Sequence, residues 1–172
     1  MAVPVRAVGD VMIGGQARRA QPDDMSEIVR VTNLAYIVES FFIDGERTHE
    51  AEVRALMAQP QSAFLVIDDP AVDGRLLASV YVETRDDRGY FAMLAVDPVH
   101  QRTGLARRLL QAVEEHCRAR GCRHLDFDMI NLRTELPAFY ARFGFEQIGT
   151  AEMGDRHKLL RECYRIKMSK PL

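Results

Sequence analysis

The stretch Leu94-Ala95-Val96-Asp97-Pro98-Val99-His100-Gln101-Arg102-Thr103-Gly104-Leu105-Ala106 decides the fold. Its first three residues close an apolar run that begins at Tyr90 and reads as a strand. From Leu105 to Arg120 the period becomes helical. Leu105, Leu109 and Val113 share a face with Ala106, Leu110 and Cys117, and Arg107, Arg108, Gln111, Glu114, Glu115 and Arg118 lie mostly opposite. Residues Gln101 to Ala106 therefore form a strand-to-helix junction. Several backbone N–H groups there lack intrahelical partners, and the helix dipole adds partial positive charge. A pyrophosphate is a natural ligand for such a junction. Gly104 removes a side chain where a ligand must approach the backbone, and Ala106 keeps the first turn thin. Arg102 and Arg107 can add charge-assisted contacts. Taken alone, the turn reads equally well as an ordinary connection with a glycine. It is neither the dinucleotide G-x-G-x-x-G nor the Walker G-x-x-x-x-G-K-[ST] pattern.

Working outward, Gly121 suits the left-handed position after the helix, with Arg118 and Arg120 at its negative end. Residues 124–129 alternate, with Leu125, Phe127 and Met129 to one side and Asp126 and Asp128 to the other. Strand, helix and strand in this order imply a right-handed crossover and a parallel pair. Thr134 is placed to cap the next helix, and Pro137 falls in its first turn, where a missing N–H costs little. Leu136, Phe139, Tyr140 and Phe143 supply that helix's apolar face, and Gly144 ends it. A strand at 145–149, a charged loop at 152–161 and a strand at 162–168 follow. Upstream, residues 17–20 read as a short strand. Asp24-x-x-Glu27 reads as a capping box that opens a helix reaching about Val38. Thr48 caps a second helix, with Glu50 and Glu52 in its first turn, and Gln59-Pro60 stops it. Residues 63–67, 75–83 and 90–96 read as strands, the last two as antiparallel neighbours. Residues 1–16 are set apart as an N-terminal arm, and 17–172 form one domain.

Two of these stretches together resemble a known family. Leu94-Ala-Val-Asp-Pro-x-x-Gln101-Arg-x-Gly104-x-Ala106 resembles the acetyl-CoA signature of the GNAT superfamily of N-acyltransferases, and Leu136-x-x-Phe139-Tyr140-x-x-Phe143-Gly144-Phe145 resembles its F-Y-x-x-x-G-F element. Two patterns in the right order, separated by a strand, are far more specific than either alone. The resemblance implies the GNAT fold. This is an α+β (α/β) architecture with a central mixed, mostly antiparallel sheet of about six to seven strands, splayed at its central parallel pair and flanked by about four helices. It also implies that acetyl-CoA is the cosubstrate. The backbone of Leu94, Ala95 and Val96 would pair with the pantetheine arm. The N–H groups of Gln101, Arg102, Thr103, Gly104, Leu105 and Ala106, with Arg107, would hold the pyrophosphate. Tyr140 matches the tyrosine that commonly protonates the leaving thiolate, although its neighbours Phe139 and Phe143 also suit a plain core position. A backbone N–H near Val96 would support the thioester oxygen. Many members carry Asn seven residues before the tyrosine, and here that position is Arg133. Asn131, close by at the strand end, either takes over that cofactor contact or caps the turn. The run Asn131-Leu-Arg133-Thr-Glu135-Leu136 resembles an R-x-E-L variant of a GNAT subset, which names no substrate.

The implied activity is acetyl transfer to an amine of a small molecule or peptide. The alternative is a non-catalytic acyl-CoA-binding sensor. A general base is sought among Glu83, near the end of a central strand, and Asp126, Asp128, Glu39 and Glu135, each of which also suits a solvated or salt-bridged role. Together these carboxylates would make the acceptor cleft acidic and suited to a cationic amine. Tyr36, Glu39 and Asp128 are the substrate-side candidates, with Phe41 and Phe42 beside them. The loop from Glu152 to Arg161 would cover one side of the cleft, or its basic residues Arg156, His157, Lys158 and Arg161 would instead meet an acidic substrate or the cofactor's phosphates.

The bulk properties narrow the alternatives. A length of 172 residues with 47% hydrophobic and 28% charged residues describes a globular chain with a sizeable core. A formal net charge of −2 gives no field to gather nucleic acid. Three cysteines without a C-x-x-C pair argue against a disulfide framework. Five scattered histidines argue against a metal site. No apolar run is long enough to span a bilayer, and the first residues read poorly as a signal peptide, so the default location is the cytoplasm. A homodimer through the last hairpin stays open.

Overall fold

The computed structural model describes residues 14–154 and 159–172. The arm set apart at 1–16 lies outside the described residues except for Gly14 to Gln16, and so do Arg156, His157 and Lys158 of the last loop. Among the described residues the elements are β1 (Arg18–Arg19), α1 (Met25–Tyr36), α2 (Glu50–Met57), β2 (Ser62–Asp68), β3 (Leu76–Arg85), β4 (Arg88–Val96), α3 (Leu105–Arg118), β5 (His124–Ile130), α4 (Leu136–Ala141), β6 (Glu146–Glu152) and β7 (Tyr164–Pro171). They build a seven-stranded sheet in the order β1-β2-β3-β4-β5-β7-β6. Every neighbouring pair is antiparallel except β4 and β5, which run parallel. This is the expected mixed sheet, flanked by four helices.

Strand alternation splits the core between the two faces. Phe64, Val66, Tyr81 and Met93 pack with Ile28 of α1 and Val53 of α2. Ala63, Leu65, Ile67, Val82, Phe91, Leu125 and Phe127 pack with the apolar stripe of α3 and with Tyr140 and Phe145. That stripe is Leu105, Leu109, Leu110, Val113 and Cys117, so the buried face follows the sequence period.

The helix starts differ from the expected caps. Asp24 stands at the N-cap position of α1 but its side chain makes no cap bond there, because Pro22–Asp24 already forms a 3-10 turn. Its carboxylate instead accepts from the Gln21 N–H at 2.7 Å and from Arg18 at 2.8 Å. At α2 the cap is His49, whose Nδ1 accepts from the Glu52 N–H at 3.1 Å. Thr48 turns its hydroxyl to the Glu52 carboxylate, and its backbone is clamped by Asn33 through two bonds of 3.0 Å. Thr134 makes no cap at α4, which begins after Glu135 and is only 6 residues long.

Candidate active site

Two local features of β4 open the site. The first is its short pairing with β5, whose register covers Arg88↔His124, Gly89↔Leu125 and Tyr90↔Asp126. Beyond Tyr90 the strands part, while β5 stays paired with β7 up to Ile130↔Arg165. The second is a bulge. The β3–β4 register jumps between Ser79↔Ala95 and Tyr81↔Ala92, and Met93 takes φ 55. An extra residue in one strand bends it and increases its twist. A non-glycine residue in the left-handed region is strained, and such strain persists only where the surroundings impose it. The β5-facing edge of the last β4 residues is thus left without a strand partner.

The gap is a cavity of about 1250 Å³. Leu94, Val96, Gln101, Arg102, Gly104, Leu105, Ala106 and Arg107 line it from the β4–α3 side. Tyr36, Glu39, Asp128, Arg133 and Tyr140 line it from the other elements. Of the sequence-named residues in the described part of the chain, Ala95, Thr103, Asn131, Glu83, Asp126, Phe41 and Phe42 are among those outside the lining. Ala95 is buried on the other face of β4. The Thr103 hydroxyl donates to the His100 carbonyl and ties the turn together. Asn131 accepts from the Tyr164 N–H at 2.8 Å and so closes the β5–β7 ladder as a turn cap. Glu83 faces Tyr90 across the β3–β4 pair, but its carboxylate accepts from the Tyr81 hydroxyl at 2.8 Å and pairs with Arg85 at 2.6 Å.

The turn before α3 is built to stay open. Asp97 accepts from the Val99 N–H at 3.3 Å and caps the 3-10 turn Pro98–His100. Gln101 donates to the Val96 carbonyl at 3.4 Å. Arg102 and Gly104 both have positive φ, 62 and 84. A Cβ at Gly104 would meet nothing within 4 Å, so open space lies in front of the helix N-terminus. Asp97 also anchors α1 to the end of β4. Its buried carboxylate meets Arg30 at 3.1 Å and Arg75 at 3.5 Å. Burial alone would raise this carboxyl, but the Arg30 and Val99 hydrogen bonds and the guanidinium charge hold it below the usual range. Nothing in the sequence pairs Asp97 with Arg30 or Arg75, because they come from distant elements.

Tyr140 is buried in the cavity wall. Its ring lies 4.1 Å from that of Phe127, which stacks on Phe91 at 4.7 Å. Its hydroxyl makes no hydrogen bond to another described residue. Burial pushes the phenol well above its ordinary value, the nearby Tyr36 phenol adds to this, and the Arg133 guanidinium opposes it. Arg133 donates to Glu39 at 3.0 Å and to Glu135 at 2.6 Å, bridging the end of α1 to the start of α4. Asp128 is paired with Arg165 at 2.8 Å, and Asp126 with Arg88 at 2.6 Å.

The expected acidic cleft is therefore not what the fold builds. Among the described residues each lining carboxylate is paired, and six arginines line the cavity against Glu39, Asp128 and Glu135. A strand or helix pattern places a carboxylate on a face without revealing which arginine meets it there. Sequence reasoning also passed over Tyr90, Arg165, Arg47 and the bulge at Met93. Arg47 belongs to an irregular segment, where periodicity carries no signal.

An open helix N-terminus, a free strand edge and a deep cavity between them fit an elongated molecule with a pyrophosphate, as acetyl-CoA is. Comparisons with known proteins agree. Glucosamine 6-phosphate N-acetyltransferase 1 of Oryza sativa subsp. japonica is 30% identical over 139 residues, covering 76% of this chain and 82% of that protein. The fold matches a GNAT superfamily phosphinothricin acetyltransferase from Sinorhizobium meliloti, solved in complex with AcCoA, at TM-score 0.70 and 19% identity, covering 91% of this chain and 88% of that one. It matches Ard1 from Thermoplasma volcanium at TM-score 0.73 and 17% identity, covering 93% and 99%. Residues 31–145 match the model of the acetyltransferase (GNAT) family, and with these likenesses the chain belongs to that family.

Proposed function

We propose that this protein transfers the acetyl group of acetyl-CoA to an amine of a small molecule or peptide by direct attack, with Tyr140 as general acid. The observation that carries the reading is the Tyr140 phenol. It is buried at the cavity wall, unengaged by other described side chains, and on the opposite side of the splay from the Gly104 turn. Leu94 and Val96 present their backbone along the open edge, where an extended chain can pair with it. The N–H groups from Gln101 to Ala106, with Arg102 and Arg107, hold the pyrophosphate. In the transfer the acceptor nitrogen forms a bond to the acyl carbon, and the carbon–sulfur bond breaks. The Tyr140 hydroxyl gives its proton to the departing sulfur and recovers one from water. The acceptor's extra proton leaves to solvent or to a carboxylate through water.

A phenol kept neutral by burial holds its proton through the physiological range, as an acid must. The Arg133 guanidinium opposes that upward push only in part. In Tyr140→Phe, kcat should fall by about 100-fold or more while acetyl-CoA affinity changes little. Steady-state kinetics beside calorimetric titration measure this, and an unchanged kcat would remove Tyr140 from the chemistry. One observation favours the second reading, a non-catalytic acyl-CoA sensor. Among the described residues the lining carboxylates are all ion-paired, so none of them stands in the cleft as an unengaged base. Acetyl-CoA binding without thiol release over a broad amine panel would favour the sensor.

A further inference from the structure

The six arginines of the cavity do not have the same surroundings. Arg133 and Arg165 are held by carboxylates. Arg102 and Arg107 stand at the phosphate turn, and Arg142 lies 5.4 Å over the Phe139 ring. Arg47 stands apart on the acceptor side. Its guanidinium lies 5.3 Å over the ring of Tyr36 and makes no ion pair among the described residues. It is half-buried rather than extended into solvent. Its charge is felt at both the Tyr36 and the Tyr90 phenols, where it opposes the upward push of burial. Nor is it loosely carried, since the next residue, Thr48, is clamped to α1 by Asn33 through bonds of 3.0 Å on either side.

Arg47 and Tyr36 also line a second cavity of about 550 Å³, with Leu34, Ile37, Glu39 and Ile43 shared between the two. The two spaces adjoin across this pair. The second is lined by Ser26, Val29, Arg30 and Asn33 of α1, so an acceptor seated there lies against Arg47. Of the described carboxylates lining that end, Glu39 already has Arg133 on it and Glu46 is exposed at the surface. An incoming anion meets a half-buried guanidinium stacked on an aromatic ring and fixed in direction. Such a group forms short, charge-assisted, bidentate bonds to phosphate or carboxylate.

We infer that the acceptor carries an anionic group, a phosphate or a carboxylate, besides its amine, and that Arg47 is the residue that binds it. This rests on the acetyl-transfer reading above. The reacting nitrogen then lies inward, toward Tyr140, and the anion outward, over Tyr36.

The test measures thiol release with acceptors in matched pairs that differ only in the anionic group. The pairs are glucosamine 6-phosphate against glucosamine, O-phosphoethanolamine against ethanolamine, and β-alanine against β-alaninamide. Wild type should favour the anionic member of at least one pair by about tenfold or more in kcat/KM, since one good bidentate charge pair is worth about that factor. Arg47→Gln should erase most of the preference by raising KM for the anionic member. Arg47→Lys should restore part of it, because charge returns without the planar fork. Circular dichroism and acetyl-CoA titration of both variants show that they fold. Turnover favouring neutral members, a preference that survives Arg47→Gln, or no turnover of any pair by protein that binds acetyl-CoA would each overturn the inference. Failure of the wild type to bind acetyl-CoA would overturn both the inference and the reading beneath it.

Discussion

Gly104 is left-handed at φ 84, and the space in front of it is empty of protein atoms. Its role is therefore not to avoid a clash within the chain. The backbone needs a residue that tolerates positive φ, and the space serves a ligand. Two substitutions separate these demands. Gly104→Ala should cost about 1 kcal/mol of stability from the left-handed backbone, measured by chemical denaturation. Gly104→Glu should also abolish acetyl-CoA binding in calorimetry, because a carboxylate then occupies the anion's place. Retained binding in Gly104→Glu would refute the assignment of the turn. This residue was legible in the sequence because its meaning is local. Arg133 was legible only as a departure from a motif, since its partners Glu39 and Glu135 come from two different elements.

At the scale of elements, β4 carries the most information. Its first half is packed tightly under α3. A Cβ on Gly89 would stand 2.4 Å from the Cys117 sulfur and 3.3 Å from a Leu125 methyl. Its second half is bent by the bulge and faces the cavity. The strand thus holds α3 close at one end and moves away from β5 at the other. Gly89→Ala should destabilise the fold by about 1–3 kcal/mol through overpacking. Cys117→Ala should cost stability through its cavity, yet the double variant should be more stable than the two single losses added together. Strict additivity in this cycle, read from denaturation midpoints, would mean that α3 shifts rather than clashes. The element types were legible from period. Asp24 holds the N-cap position of α1 as read but makes no side-chain cap, since its carboxylate serves the preceding 3-10 turn, and the cap of α2 falls one residue later than read, on a histidine acceptor.

The whole molecule buries several phenols around one splayed sheet. Burial raises Tyr36 and Tyr140, and pushes Tyr90 and Tyr81 up to about 12, the last also through its bond to Glu83. In the unfolded chain each phenol ionises near its ordinary value of about 10. Below that pH both states hold the protons and the phenols add no pH dependence. Between about pH 10 and 12 the unfolded chain loses protons that the folded one keeps, so stability falls as pH rises. Each such phenol contributes a slope of up to about 1.4 kcal/mol per pH unit. Tyr140→Phe should flatten the decline by up to that amount, as measured by denaturation at fixed pH steps. An unchanged slope would place the Tyr140 phenol in water rather than in the wall.

What the sequence determined by itself was whatever depends on near neighbours along the chain. The helix and strand periods, the junction at Gln101 to Ala106, and the paired order of the Gly104 and Tyr140 motifs are all of that kind. They sufficed for the architecture and for the family. The tertiary structure alone decided which charges meet. It set Arg133 between Glu39 and Glu135, gave Asp128 to Arg165, took Glu83 out of the cavity lining, and left Arg47 on Tyr36. The reason is physical. A hydrophobic pattern specifies a face through many weak and redundant contacts, whereas the state of a charged group depends on one or two partners within about 4 Å. Those partners come from elements far apart in sequence, and only the folded sheet brings them together.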